Sequence, residues 1–387
     1  MDEYVTSAIS HLGKLVAFET ISALPNLDIV NYIQEQLQRH GIESSISYDE
    51  TGKRANLHVI IGPRLDGGVL LNGHTDVVPV EGQDWFSDPF LLTNRDGRLY
   101  GRGSVDMKGY LACMIAAVPL WQGKALKKPI HVSMCYDEET GGFGAPVLVK
   151  DICENAPLPS VAIVGEPTEM QIVTAHKAGF EMRTEITGLE AHSSNPRLGV
   201  SAISCAVRFI SFLLNMADDL AAKPHKDSPF VPNYTTLNIG TIEGGVARNT
   251  IAGNCAFDWE IRPLTSAHGK QLIAEITDYA MNTLLPEMRK TYPEANILID
   301  TEADVPGLDH RQAERATKLI SNITGLNSTH AVPFGTDAGH FAAAEISTIV
   351  MGPGSIEQAH KPDEFIEISQ ITECLNFFDK LGNELAR

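Results

Sequence analysis

No stretch of this chain approaches the roughly 20 consecutive apolar side chains that a membrane-spanning helix needs, so a bilayer span is excluded. Basic residues are scarce beside acids. The balance of 30 against 49 gives a formal charge of −19, which repels a phosphate backbone and argues against a nucleic-acid partner. The same excess favours a cationic small substrate, although a well-solvated acidic surface explains it as simply. Cysteine pairing signals are missing too: Cys113, Cys135, Cys153, Cys205, Cys255 and Cys374 lie scattered in mostly apolar segments, without CxxC or framework spacing. They read as reduced core residues. The opening segment MDEYVTSAISHLGKLVAFET lacks the basic start and cleavage site of a secretion signal and reads as an amphipathic helix, so a cytoplasmic protein is expected. The sequons at Asn233, Asn322 and Asn327 are then chance matches. Internal repeats and low-complexity tracts are also absent.

At 387 residues the chain exceeds the size at which one hydrophobic core stops growing, and its apolar content of 43% supplies material for two. Residues 1–179 alternate helix and strand. In 27–40, Leu27, Val30, Ile33 and Leu37 share one helical face and Gly41 supplies a stop. The helix expected over 107–121 lies between the strands ending near His74 and Glu138, a crossover unit that predicts a mostly parallel sheet. From about 180 the pattern changes to an alternating strand (FEMRTEITG), a helix over 199–222, two strands, a helix over 266–285 and a last strand (ANILIDTE). That β-α-β-β-α-β order is ferredoxin-like. After Pro306 the alternating pattern returns, with helices at 310–323 and 369–385 around a strand at 346–351. The expected fold is therefore α/β: a mostly parallel sheet domain split over 1–179 and 304–387, carrying a ferredoxin-like α+β insertion at 180–303.

Metal-ligating side chains gather where apolar runs end. His74 closes GVLLNGH, Glu138 and Glu139 close IHVSMCYDEE, Glu166 closes SVAIVGE, and His360 follows ISTIVMG in a Gly/Pro-rich loop. In open α/β sheets the crevice beyond the strands' carboxyl ends holds ligands, so these donors converge on one edge. Asp106, in YGRGSVDMKG, stands at or just before a helix start, where capping is the plainer local role. The GxGxxD pattern there also suggests a nucleotide loop, but its glycines follow no apolar strand and the third glycine is missing. Asp76, two residues after His74, suits the acceptor that holds a ligand imidazole's second nitrogen. Of the adjacent Glu138 and Glu139, one can bind a metal while the other meets water; a solvated acidic turn is the alternative. Glu166, locked before Pro167, needs a partner if buried and is otherwise an exposed acid at a strand end. His340, in FGTDAGHF, rivals His360 as a ligand, but it reads as part of a helix start, whereas the loop of His360 follows the strand that completes the sheet.

Taken together, GEPTEMQIVTAHKAG, HSSNPRLGVSAI, DWEIRPL and GPGSIEQAHKPDE resemble the M20 metallopeptidase and deacylase family, over essentially the whole chain. The resemblance implies two zinc or cobalt ions bridged by Asp106, with His74 and Glu166 completing one site and Glu139 and His360 the other. It implies Glu138 as general base and the 180–303 insertion as a lid through which a homodimer forms; Asp76, the acceptor for His74, is counted with Glu138 among the catalytic residues. His192 would then reach the partner subunit's active site to steady an oxyanion, and Asn249 and Arg262 would bind substrate. The implied reaction is hydrolysis of the acetyl amide of N2-acetyl-L-ornithine, a step of arginine biosynthesis. N-succinyl-diaminopimelate, other N-acyl amino acids and dipeptides are alternative substrates on the same metal residues. A catalytically silent metal-binding scaffold is a further alternative, against which the intact Glu138 speaks. The GTDAGHF loop departs from the family's common forms and leaves the side-chain pocket open.

Overall fold

A computed structural model describes residues 1–387, which divide into two compact units: Met1–Ala175 with Leu308–Ala331 and Thr336–Arg387, and His176–Gly307 with Val332–Gly335. In the first unit, α1 (Asp2–Val16) and α2 (Leu27–Arg39) precede β1 (Ser44–Tyr48), β2 (Ala55–Ile61) and β3 (Val69–His74). A short hairpin, β4 (Thr93–Arg95) and β5 (Arg98–Tyr100), leads to α3 (Lys108–Gln122), β6 (Ile130–Cys135), α4 (Gly144–Asn155), β7 (Val161–Pro167) and β8 (Val173–His176). The second unit is built from β9 (Gly179–Thr187), α5 (Ala202–Ala221), β10 (Thr236–Gly244), β11 (Asn254–Arg262), α6 (Ser266–Tyr279), α7 (Leu285–Arg289) and β12 (Asn296–Val305). The chain closes through α8 (Glu314–Thr324), β13 (His330–Val332), α9 (Ala338–Ala343), β14 (Ser347–Gly352), β15 (Phe365–Glu367) and α10 (Ile368–Leu385).

The large sheet has the order β1-β2-β6-β3-β7-β14-β8-β13. Its four central strands, β6, β3, β7 and β14, run parallel. β1 and β2 on one side and β8 on the other pair antiparallel. β3, β6 and β7 are buried along their whole length and β14 from its second residue on, which is why they read as continuous apolar runs rather than alternating ones. α3 is apolar on every face because it packs on β3 and is covered in turn by α1 and α10. In the second unit the order β10-β11-β9-β12, antiparallel throughout, is the ferredoxin-like arrangement; β9 and β11 alternate buried and outward residues.

Four local expectations shift. The acids expected at the end of a strand lie beyond it: β6 stops at Cys135, and Asp137, in the left-handed region at φ 52°, turns the chain before Glu138 and Glu139. The helix expected from 199 begins at Ala202, because the Ser201 hydroxyl accepts the Ser204 N–H as a cap. The helix expected to stop at 285 continues through a π turn, Ala280–Leu284, into α7, whose first turn accepts Pro286. Asp106 is not a cap: Met107 holds that position and α3 has no side-chain cap.

Candidate metal centre

β3 delivers His74 at its last residue, next to β6 on one side and β7 on the other. Glu166 is the penultimate residue of β7, and close packing there needs glycine at Gly165 and, on the neighbouring β14, at Gly352. A Cβ on Gly165 would lie 2.2 Å from the Tyr110 ring, and one on Gly352 would lie 2.0 Å from the Gly165 carbonyl oxygen. These approaches bring α3 and β14 against the end of β7. Asp106 precedes α3, and His360 reaches the cluster from the loop after β14 with a left-handed φ of 63°.

Asp106 stands between the two imidazoles. Its Oδ1 lies 3.2 Å from His74 Nε2 and its Oδ2 3.3 Å from His360 Nε2. His360 Nε2 is also 2.9 Å from Glu139 Oε2. Donor atoms of His74, Asp106 and Glu139 lie within 4.8 Å of one another, as do those of His74, Glu138 and Glu166. His74, Asp106 and Glu166 are buried, whereas the His360 side chain is 54% exposed and forms the solvent side of the cluster. Asp76 organises its neighbours: its carboxylate accepts the Ser22 hydroxyl at 2.6 Å and the N–H groups of Glu138 and Glu139 at 3.1 and 3.3 Å. His74 Nδ1 meets the Asp76 main-chain carbonyl at 2.9 Å, closer than the carboxylate at 3.5 Å. The acceptor that orients the ring is therefore chiefly backbone. Asp137 fixes the same turn by accepting the Ala23 N–H at 2.8 Å and by an ion pair with Arg54.

The electrostatics are those of an anion cluster that wants cations. Lost hydration and then the charge of Glu166 hold the Glu138 carboxyl well above its ordinary value. Burial and then Asp106 do the same for Glu166, and push Glu139 up to about 7. Burial penalises the Asp106 carboxylate, yet hydrogen bonds from His360 and His74 keep it below the usual range. The bonds of His360 to Asp106 and Glu139 push its imidazolium up to about 10. Oε1 of Glu139 and Oε1 of Glu166 are buried without a hydrogen-bond partner, a costly state that a coordinated divalent ion relieves. Imidazole and carboxylate donors with orphaned oxygens fit zinc or a similar divalent ion.

Sequence reasoning passed over Asp337. It is buried, its Oδ2 accepts Asn72 Nδ2 at 3.4 Å, and burial pushes its carboxyl up to about 6 against the charge of His74. Its signal in the sequence is the acid of GTDAGHF, three residues before His340. His340 itself lies on α9, with Nε2 3.2 Å from where a Cβ on Gly142 would stand. The other expected residues belong to the second unit. His192 and Asn249 are exposed neighbours: His192 bridges Thr250, and the Ser193 N–H donates to the Asn249 carbonyl at 3.1 Å. Arg262, at the end of β11, turns Nε and Nη2 onto Glu260 Oε2 at 3.0 and 2.8 Å.

Comparison with known proteins bears on this geometry. The family described as Peptidase family M20/M25/M40 matches residues 70–384. An acetylornithine deacetylase of Shigella sonnei (strain Ss046) is 34% identical over 360 residues, 91% of this chain and 91% of that protein. Among solved structures, an M20 family metallo-carboxypeptidase from Sulfolobus solfataricus superposes with a TM-score of 0.75 at 16% identity, covering 100% of both chains. A Bacillus subtilis protein described as a dinuclear metal-binding peptidase of family M20 gives 0.68 at 16% identity, covering 99% of this chain and 98% of its own. No helix is long and apolar enough to cross a membrane.

Proposed function

This chain belongs to peptidase family M20/M25/M40, and on that premise we propose that it is a dinuclear metallohydrolase that converts N2-acetyl-L-ornithine and water into L-ornithine and acetate, a step of arginine biosynthesis. The observation that carries the metal reading is the Asp106 carboxylate between two imidazoles, 3.2 Å from His74 and 3.3 Å from His360. The substrate reading is supported by 34% identity to acetylornithine deacetylases over nearly the full length.

Asp106 would bridge two zinc or cobalt ions, with His74 and Glu166 on one and Glu139 and His360 on the other. Bound there, such ions supply Lewis-acid polarisation of the acyl carbonyl and lower the pKa of water to near neutrality. Glu138 takes a proton from the attacking water and delivers it to the departing amine nitrogen. Burial raises its pKa above the ordinary carboxylate value, the direction that makes a carboxylate a stronger base. Asp76 holds the backbone of Glu138 and Glu139 in register with His74. Arg262 meets the substrate carboxylate through a guanidinium fork, exchanging Glu260 for it, and Asn249 contributes a further hydrogen bond.

The domain at 180–303 acts in this reading as lid and dimer contact, and His192 steadies the oxyanion in the partner's site. The homodimer is supported by the edge position of β10 and by exposed apolar side chains in the same unit: Ile203, Val207 and Leu214 on α5, and Ile242 and Val246. The test is hydrolysis of N-acetyl-L-ornithine by metal-stripped protein before and after return of zinc or cobalt. Activity restored by metal, and greater than on N-succinyl-diaminopimelate, other N-acyl amino acids or dipeptides, is the expected result. Metal-restored activity that prefers another member of that panel reassigns the substrate, and metal-independent binding of a nucleotide abolishes the reading.

A further inference from the structure

The segment HKPDE that carries His360 contains a second acid, Glu364, whose carboxylate is bonded to backbone N–H groups. It is 1% exposed. Its Oε1 accepts the N–H groups of Val105 and Asp106 at 2.9 and 3.2 Å, and its Oε2 accepts the Gly103 N–H at 3.0 Å. Oε2 also lies 2.6 Å from Arg102 Nη1, a guanidinium that is itself 1% exposed. Three N–H groups of the GRGSVD turn, those of Gly103, Val105 and Asp106, thus converge on a carboxylate 258 positions beyond Asp106 along the chain. Left-handed Gly103, at φ 77°, lets the turn fold around it.

Arg102 extends the connection. Its Nη2 donates to Gln83 Oε1 at 2.6 Å, and Gln83 Nε2 donates to the main-chain carbonyl of His360 at 3.0 Å. The guanidinium also lies 5.2 Å from the Trp85 ring centroid. One buried ion pair therefore ties the backbone of Asp106 to the loop of His360, the two side chains whose carboxylate and imidazole meet at 3.3 Å.

We propose that Glu364, with Arg102 and Gln83, is a positioning device that sets the separation of Asp106 and His360 and so governs the affinity of the ion held by His360, more than that of the ion held by His74 and Glu166. The inference rests on the metal-centre reading above. His360 needs such support: it is half exposed and holds a left-handed backbone conformation, whereas His74 is held in a buried strand.

Full-length protein, stripped of metal, is titrated with Co2+ alone while d–d absorption and heat are recorded, for wild type, Glu364→Gln, Gln83→Ala and the reference His360→Ala. Thermal melting of each metal-free protein is measured in parallel. Glu364→Gln should weaken the equivalent that His360→Ala loses by about tenfold or more, and Gln83→Ala by roughly a few-fold, while the other equivalent stays near wild type. Removing one partner of a buried pair is strongly destabilising, so Gln83→Ala decides the matter alone if Glu364→Gln does not fold. Unchanged affinity for both equivalents in Gln83→Ala and in any folded Glu364→Gln overturns the inference, as does a parallel loss of both with a lowered metal-free melting point. A wild type that takes up no second equivalent overturns the proposed function itself.

Discussion

Acids fill both units of this protein, and they live under opposite conditions. At the carboxyl edge of the large sheet, Glu138, Glu139, Glu166 and Asp337 are held above their ordinary pKa, burial being the largest cause and neighbouring anions adding to it. On the four-stranded sheet, Glu185, Glu243 and Asp258 surround Arg183 at 2.8 to 3.2 Å and face solvent. Hydrogen bonding from Thr241 and Arg183 lowers Asp258 instead of raising it. The residue types are the same, yet one set lacks compensation and the other has it from water and a guanidinium. An acid signals metal chemistry when its neighbours are anions and its water is gone, and an ion-paired acid in solvent signals little.

The largest effect that can break this contrast comes from Glu138. Glu138→Ala should lower kcat by about 10²- to 10⁴-fold while both equivalents of Co2+ still bind. Near-wild-type turnover, or loss of an ion, removes it from the role of base. A second measurement sharpens the division of labour between the units. Mixing inactive Glu138→Ala and His192→Ala proteins under proven subunit exchange should recover about a quarter of wild-type activity, since half the dimers are mixed and each has one intact site. No recovery counts against action in the partner's site.

A smaller effect tests the rule that a buried group without compensation stays neutral. His58 and His131, on β2 and β6, touch through Nε2 and Nδ1 at 3.0 Å, and both rings are buried. Burial, then the charge of Arg64, lowers His58 to about 4, and burial, then His58, lowers His131 to about 3. The native pair therefore refuses protons that the unfolded chain accepts once the pH falls below 6.5, so stability present above that value is lost as the pH falls from 6.5 through about 4 for His58 and about 3 for His131. At pH 5 the loss is about 2 kcal/mol per histidine. His131→Leu should remove about half of the acid sensitivity in denaturant midpoints compared between pH 7.5 and pH 5; an unchanged difference refutes the assignment. The smallest effect is expected at the solvated end of the comparison. Arg183→Ala should leave Co2+ binding unaltered and the melting point within measurement scatter. A marked fall in either would show that the exposed cluster does more than meet water.

The α/β class and the parallel centre were legible because strands such as Val69–His74 and Val161–Pro167 are buried on both faces and so are written as unbroken apolar runs. The ferredoxin-like order was legible for a different reason: β9 and β11 expose one face and alternate. The hairpin Thr93–Tyr100 and its partner Phe365–Glu367 were not, since strands of three residues carry no periodicity and exist through pairing with distant chain. Asp106 reads locally as a cap, and Asp337, at the N-cap position of α9, carried no signal read as metal chemistry. Neither side chain makes a cap hydrogen bond, and the charges of both act on Glu166 in the acid cluster.

Strand ends and helix faces are local properties, set by the spacing of apolar side chains over a few residues, and that spacing alone assigned His74, Glu139, Glu166 and His360 to loops and strand ends of one sheet. Which oxygen meets which nitrogen is different in kind. The 3.3 Å between Asp106 and His360 and the N–H groups that hold Glu364 depend on packing among segments more than two hundred residues apart, and Glu138, raised first by burial, is raised further by Glu166 and Asp337 from other segments. A local pattern cannot carry a distance that only the closed core defines.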